Sequence, residues 1–249
     1  MGSMKNVQLS DRLRAVASLA APGSRIADVG CDHGYIPIYL YLEGRIPGAI
    51  AMDVNRGPLL RAEQHIREYG LGKYIETRLS DGVKALAPGE ADTVIIAGMG
   101  GPLMEKILTE GRSVLESVSE LILQPQSEIG AFRHYLLEHG YRITAEDMVF
   151  EEGKYYPMMK VLHGEQSYGD ETEYLFGRGL LDSRNPGFLN KFSAKGAVIC
   201  GKDHGASEKD RHQSRQGAAF GTGTGAVLYQ KKHLRAFKSR NHSLQRNHN

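Results

Sequence analysis

Asp28, Asp53 and Asp81 each close or follow a short apolar run, in Ile26-Ala27-Asp28-Val29, in Ala49-Ile50-Ala51-Met52-Asp53 and just beyond Leu79. A carboxylate carries two acceptor oxygens, so acids placed this way suit a ribose diol or an exocyclic amine. The first acid runs into the loop Gly30-Cys31-Asp32-His33-Gly34. Gly30 and Gly34 can adopt positive φ there and let a ligand approach the main chain with no Cβ in the way. Asp53 follows Gly30 by 23 residues, close to the roughly 20-residue offset at which an acid on the second strand meets a ribose. Val54 stands beside it. Asp81 is placed to accept from an adenine amino group, with the Gly82 N–H as a complementary donor. The loop reads Gly-x-Asp-x-Gly and lacks the Gly-x-Gly-x-x-Gly that beds a dinucleotide pyrophosphate. S-adenosylmethionine (SAM) fits better, since it carries a ribose and cationic centres but no phosphate. Asp28 and Asp32 can face its ammonium and sulfonium, and His33 lines the same pocket.

The second cluster concerns what would receive a group from such a cofactor. Ala97-Gly98-Met99-Gly100-Gly101 follows an apolar run at a point where enzymes that methylate exocyclic amines carry Asn- or Asp-Pro-Pro-aromatic. A ring nitrogen already presents its lone pair and needs positioning more than activation. An opening bare of side chains would admit a flat base, with Ala97 and Gly98 also lying against the cofactor. Gln124-Pro125-Gln126 closes the next apolar run, and Tyr35, Tyr155 and Tyr156 are candidates to stack on a base. Cys31 reads as a small packing residue.

These positions need a scaffold that brings strand ends together. Ser10-Asp11 can cap a helix with Leu13, Val16, Leu19 and Ala20 at helical spacing. Strands are expected over Arg25–Gly30, Ala49–Val54, Tyr74–Leu79, Thr93–Ala97 and Leu121–Leu123. Helices are expected between them over Ile36–Glu43, Pro58–Tyr69, Pro102–Glu110 and Glu128–His139, and Pro37 suits the first turn of its helix. Tyr141–Glu151 and Tyr155–His163 read as a hairpin through Glu152-Gly153-Lys154. The alternation predicts an α/β, Rossmann-like class I methyltransferase fold: a mostly parallel seven-stranded sheet, helices on both faces and an antiparallel terminal hairpin strand. In such sheets ligands bind outside the carboxyl ends of the strands, where Asp28, Asp53, Asp81, Gly98 and Gln124 fall.

Three regions follow: a cofactor-binding domain over 5–164, the start of a helical appendage over 165–195, and an atypical tail over 196–249. Asp170–Ser183 is expected as one helix, and Phe188–Phe192 as the beginning of another. The tail holds five of the ten histidines and no sustained apolar period, and is expected to be poorly ordered. Residues 201–249 carry ten Lys/Arg against three Asp/Glu although the whole chain is only +2, so the rest is mildly acidic and the tail is an electrostatic handle for nucleic acid. With two cysteines, Cys31 and Cys200, no disulfide framework or multi-cysteine metal cage is expected. No apolar run approaches the ~20 residues that span a bilayer, and no secretory signal is visible, so a cytoplasmic protein is expected. A monomer is the expectation for its assembly.

Asp28-Val-Gly-Cys-Asp-His-Gly-Tyr-Ile-Pro, Met52-Asp-Val-Asn-Arg-Gly-Pro-Leu, Ile96-Ala-Gly-Met-Gly-Gly, Leu123-Gln-Pro-Gln and Glu152-Gly-Lys-Tyr-Tyr together resemble the bacterial tRNA adenine(22)-N1-methyltransferases. The resemblance spans about residues 5–192. It implies SAM-dependent methyl transfer to N1 of a D-arm adenine in tRNA, with no metal. Methylated N1 leaves a cationic adenine unless N6 loses a proton, which makes the Gly98 and Met99 carbonyls, Asp32 and Gln126 the candidates for catalysis. The chain departs from the family in having Gln126 where Asn is common, and in a tail unlike the family's helical appendage. The alternatives from other classes are a SAM methyltransferase acting on a small molecule or protein, and a non-catalytic RNA-binding module.

Overall fold

The computed structural model describes residues 7–183 and 185–188. Its first strand, β1 (Ile26–Val29), is buried at all four positions, as are the five of β2 (Ala49–Asp53). Unbroken burial is what a parallel strand covered on both faces requires. With β3 (Ile75–Leu79), β4 (Thr93–Met99), β5 (Glu120–Pro125), β6 (Tyr141–Glu151) and β7 (Lys154–His163) they form one sheet in the order β3-β2-β1-β4-β5-β7-β6. The first five strands run parallel, and β7 lies antiparallel to both β5 and β6. The expected sheet and terminal hairpin are therefore present.

Helices cover both faces. Val16 and Ala17 of α1 (Asp11–Leu19), Ile38 and Leu40 of α2 (Tyr35–Leu42), and Ala62 and Ile66 of α3 (Arg56–Glu68) pack with Ile26, Ala51, Ile95 and Ile122 on one face. Met104 and Leu108 of α4 (Gly101–Glu110), Leu115 of α5 (Arg112–Leu115), and Phe132 and Leu136 of α6 (Ile129–Glu138) pack with Ala27, Met52, Val94, Ile96 and Leu123 on the other. Odd and even strand positions thus feed two separate cores, the consequence of a side-chain period of two. The start of α1 is as expected, with Ser10 Oγ accepting from Leu13 N at 3.3 Å. Its carboxyl end is held by Arg45, whose guanidinium donates to the carbonyls of Ala17 and Ala20 at 3.2 and 2.8 Å.

The expected single helix over Asp170–Ser183 is instead two, α7 (Glu171–Phe176) and α8 (Arg178–Ser183). Gly177 breaks it with φ +87°, and a Cβ there would strike the Glu146 carboxylate and the Arg133 guanidinium. Those two side chains form an ion pair at 2.8 Å, each only 1% exposed, and Glu146 also accepts from the Gly179 N–H at 2.9 Å. The break lets the appendage fold onto a buried charge pair that one continuous helix would leave unsatisfied. Of the helix expected from Phe188 onward only Phe188 is described, buried beside Phe176, and the rest of it, the basic tail and Cys200 lie outside the described residues. Among the described residues no helix is long and apolar enough to cross a membrane.

Candidate cofactor and base site

The strand order reverses between β1 and β4, and an open α/β sheet has its crevice at that switch point, beyond the carboxyl ends. A cavity of about 400 Å³ lies there, within the roughly 300–1,000 Å³ of ordinary ligand sites. Asp28 from β1, Gly30 to His33 from the loop, Tyr35 and Ile36 from α2, Ala97 and Gly98 from β4, Gln126 beyond β5, and Arg12 and Leu13 from α1 line it.

Asp28 is fully buried, and desolvation, followed by repulsion from the Asp53 carboxylate, pushes its pKa up to about 7. Asp28 lines the cavity and can seat a cationic ligand, whereas Asp53 falls outside the lining, at the end of the adjoining strand. Asp53 ends β2, buried, and accepts from the Asn55 N–H at 2.8 Å. Burial also pushes the Cys31 thiol well above its ordinary range, consistent with a packing residue and not a nucleophile.

The loop takes the expected glycine conformations, with φ +74° at Gly30 and +66° at Gly34. Gly34 lies outside the cavity lining, and a Cβ there would press on Ala62 at 3.2 Å. Its function is the tight turn onto α2 and the close packing of α3. His33 is itself left-handed, at φ +68°. Its Nδ1 is buried without a partner, and its Nε2 lies 3.6 Å from Asp32. Asp32 is held by Arg61 at 2.7 Å on the cavity rim.

At the end of β4 only Ala97 and Gly98 face the cavity. Gly98, φ +83°, is the extra residue that shifts the β4–β5 register between Ala97↔Gln124 and Met99↔Pro125. A Cβ on Gly98 would stand 3.6 Å from Gln126 Nε2 and 3.8 Å from Arg12 Nη1, so the bulge opens a gap between those two side chains. The expectation that Ala97–Gly101 as a whole forms a bare opening needs correction. Met99 folds over Gly30, where a Cβ would collide with its Cε, and its carbonyl accepts from Gln126 N at 2.9 Å. Gly100 and Gly101 are small because the Ser127 turn packs against them, at 2.9 and 2.8 Å from where their Cβ atoms would be.

Several other expected site residues fall outside the cavity. Asp81 lines a separate narrow cleft with Lys84, Leu103, Lys106 and Ile107, and its carboxylate pairs with Lys84 at 2.6 Å; Gly82 lines neither cleft nor cavity, and a Cβ there would press on Ile107 at 3.1 Å. The cleft adjoins β2, because Ser80 N donates to Asp53 O at 2.9 Å, and Val54 is exposed at the same edge. Gln124 is fully buried, donating to Pro125 O and accepting from Arg12 Nη1, each at 3.1 Å. It therefore holds the wall and does not face a ligand, and Pro125 is buried beside it at the end of β5. Tyr155 and Tyr156, adjacent on β7, point to opposite faces. Tyr156 lies beneath the Arg12 guanidinium, 5.3 Å from the ring centre, whereas Tyr155 packs with Met148, Phe176 and Leu180. Neither tyrosine lines the cavity: Tyr156 reaches it only through Arg12, and strand alternation turns Tyr155 to the other face.

Arg12 is a cavity residue that motif reading missed. It lies on the first helix, before any strand, and its charge was the only signal. Among the described residues there is no cluster of three or more His, Cys, Asp or Glu able to hold a metal ion.

Residues 9–159 match a family model described as a methyltransferase domain, the class that the sheet order and the cavity also define. The chain is 34% identical over 195 residues, 76% of its length, to the tRNA (adenine(22)-N(1))-methyltransferase of Bacillus subtilis, 82% of which is covered. It belongs to that family. The crystal structure of the B. subtilis m1A22 tRNA methyltransferase superposes with a TM-score of 0.70 at 31% identity, covering 82% of this chain and 91% of that one. M. capricolum TrmK, solved with S-adenosyl-homocysteine, gives 0.65 at 29% identity, covering 78% and 88%.

Proposed function

We propose that this protein transfers a methyl group from SAM to N1 of an adenine in tRNA, with adenine 22 of the D-arm as the target that its relatives' description supports. The observation that carries this reading is the buried Asp28 carboxyl in the wall of a cavity opened on another side by Gly98, with the buried Asp53 ending the adjoining strand close enough for its charge to act on Asp28. The donor set suits SAM: acidic seats for its ammonium and ribose, a glycine loop for close approach, and the Arg12 guanidinium for a carboxylate.

Bound SAM supplies a methyl group activated by its sulfonium. Asp53 accepts from the ribose hydroxyls, and Asp28 with the Gly30–Gly34 loop holds the amino-acid end. Val54, Asp81 and Gly82, at the neighbouring strand edge, would receive the cofactor's adenine, Asp81 sharing its carboxylate with Lys84. Ala97 and Gly98 admit the substrate base through the gap between Arg12 and Gln126. Positioning N1 in line with the transferred carbon supplies most of the rate, and orientation effects of several kcal/mol are available for it. Of the expected acceptors, the Gly98 carbonyl, Gln126 and Asp32 belong to cavity-lining residues and would serve as the base loses its N6 proton, whereas the Met99 carbonyl is taken by the Gln126 N–H. The target base must leave its stack, at a cost of a few kcal/mol. The basic tail adds phosphate contacts, and tRNA as substrate implies work in the cytoplasm.

Transfer of tritiated methyl from SAM to bulk tRNA, compared with protein and metabolite pools, tests the reading. Label in tRNA at N1 of adenine supports it. Label confined to another pool supports the small-molecule or protein alternative, and SAM-independent RNA binding without transfer supports the non-catalytic one.

A further inference from the structure

Three aromatic rings meet at the rim of the cavity, and one of them comes from outside it. His33 and Tyr35 line the cavity with ring centres 5.2 Å apart and planes within 5° of parallel. His65, on α3, lies 5.4 Å from the first and 5.1 Å from the second, inclined by only 17° and 13°. Its Nδ1 also stands 2.9 Å from the His33 carbonyl oxygen. A carbonyl can only accept, so Nδ1 of His65 carries the proton and must donate.

His33 needs such a clamp. It is a non-glycine residue at φ +68°, a conformation disfavoured for any side chain with a Cβ. Within the loop its ring meets only Asp32, at 3.6 Å from Nε2, and its Nδ1 is unpartnered. One turn of α3 supplies the restraint from two positions four residues apart, which share a helix face. Arg61 grips Asp32 at 2.7 Å, and His65 grips His33.

We infer that His65 is a positioning residue for methyl transfer, which fixes His33 and Tyr35 as a preformed flat wall for the substrate adenine. The inference rests on the functional reading above. A base turned out of an RNA stack loses its neighbours, and parallel rings on the protein replace them. A wall set before binding spares the ordering cost that a loose one would add. His65 acts through His33 and Tyr35 and touches neither cofactor nor base.

The test uses the full chain with three variants. His65→Ala removes ring and donor, His65→Phe keeps the ring, and His65→Asn keeps a donor near the Nδ1 position. For His65→Ala we expect kcat/KM for tRNA to fall by about tenfold or more, while calorimetric SAM affinity stays within about threefold, because small misplacements near the reacting atoms act on turnover. His65→Phe and His65→Asn should each recover part of the loss, and they carry the test if the alanine variant unfolds. Nitrogen NMR of the wild type should show His65 protonated on Nδ1. Unchanged kinetics in all three variants would overturn the inference. So would a loss of SAM affinity as large as the loss of kcat/KM, which would make the wall a cofactor element. A His65 protonated on Nε2 would overturn the clamp alone, whereas wild-type protein that methylates no tRNA would overturn the functional reading.

Discussion

Arg12 Nη1 donates to Gln124 Oε1 at 3.1 Å, joining the first helix to the buried end of β5 across 112 residues of sequence. The same guanidinium stands over Tyr156 and closes one side of the gap at Gly98. Gln124 is wholly buried, so Arg12→Ala leaves its amide oxygen without that donor. The expected cost is about 1–3 kcal/mol of stability, read from denaturant unfolding. Weaker SAM binding is expected beside it, since the cavity loses its Arg12 cation. A variant as stable as the wild type would show that Gln124 finds another partner.

Asp53 is buried, with one oxygen committed to the Asn55 N–H. If it also accepts from the ribose hydroxyls, Asp53→Ala should weaken SAM binding by about 2 kcal/mol or more, because a charged acceptor is lost from paired donors. Calorimetry gives the answer directly, and an unchanged affinity removes the assignment.

Asp28 titrates in an unusual range. Burial and the Asp53 charge hold its pKa at about 7 against an ordinary 3.8, so between those values the folded protein binds more protons than the unfolded chain. Its contribution to stability is therefore fully present at the acid end of that window and is lost as pH rises through about 7, a change on the order of 4 kcal/mol. Asp28→Asn should flatten that part of the profile. A cationic ligand favours the ionised carboxylate, so SAM should bind about tenfold more weakly at pH 6 than at pH 8, and in Asp28→Asn without this dependence. A pH-independent wild-type affinity would mean that Asp28 does not face the ligand's charge.

Gly98 is both left-handed and exposed at the gap between Gln126 and Arg12. Gly98→Val should abolish transfer to tRNA, leave SAM affinity within a few fold, and lower stability by about 1–2 kcal/mol through backbone strain. Parallel measurement of transfer and calorimetric affinity separates the two effects. Equal loss of both would assign the bulge to the cofactor alone.

The strands, the hairpin and the acids at the strand ends were legible in the sequence because they follow local rules. Continuous apolar runs such as Thr93–Ile96 mark strands buried on both faces, and Gly30 and Gly34 mark turns that only positive φ allows. The break at Gly177 was not legible, because its cause is the Arg133–Glu146 pair that α7 and α8 fold over. Nor was the role of Met99, which fills the space above Gly30, or the separation of Tyr155 from the cavity. Arg12 and His65 reach the site from helices whose own periodicity shows only amphipathic surface. Sequence by itself determined which elements form and which end of the sheet carries the chemistry, since propensity, period and turn chemistry act over a few residues. The tertiary structure alone decided which side chains share and support the cavity, because contacts such as His33–His65 and Arg12–Gln124 span 32 and 112 residues and form only in the closed sheet.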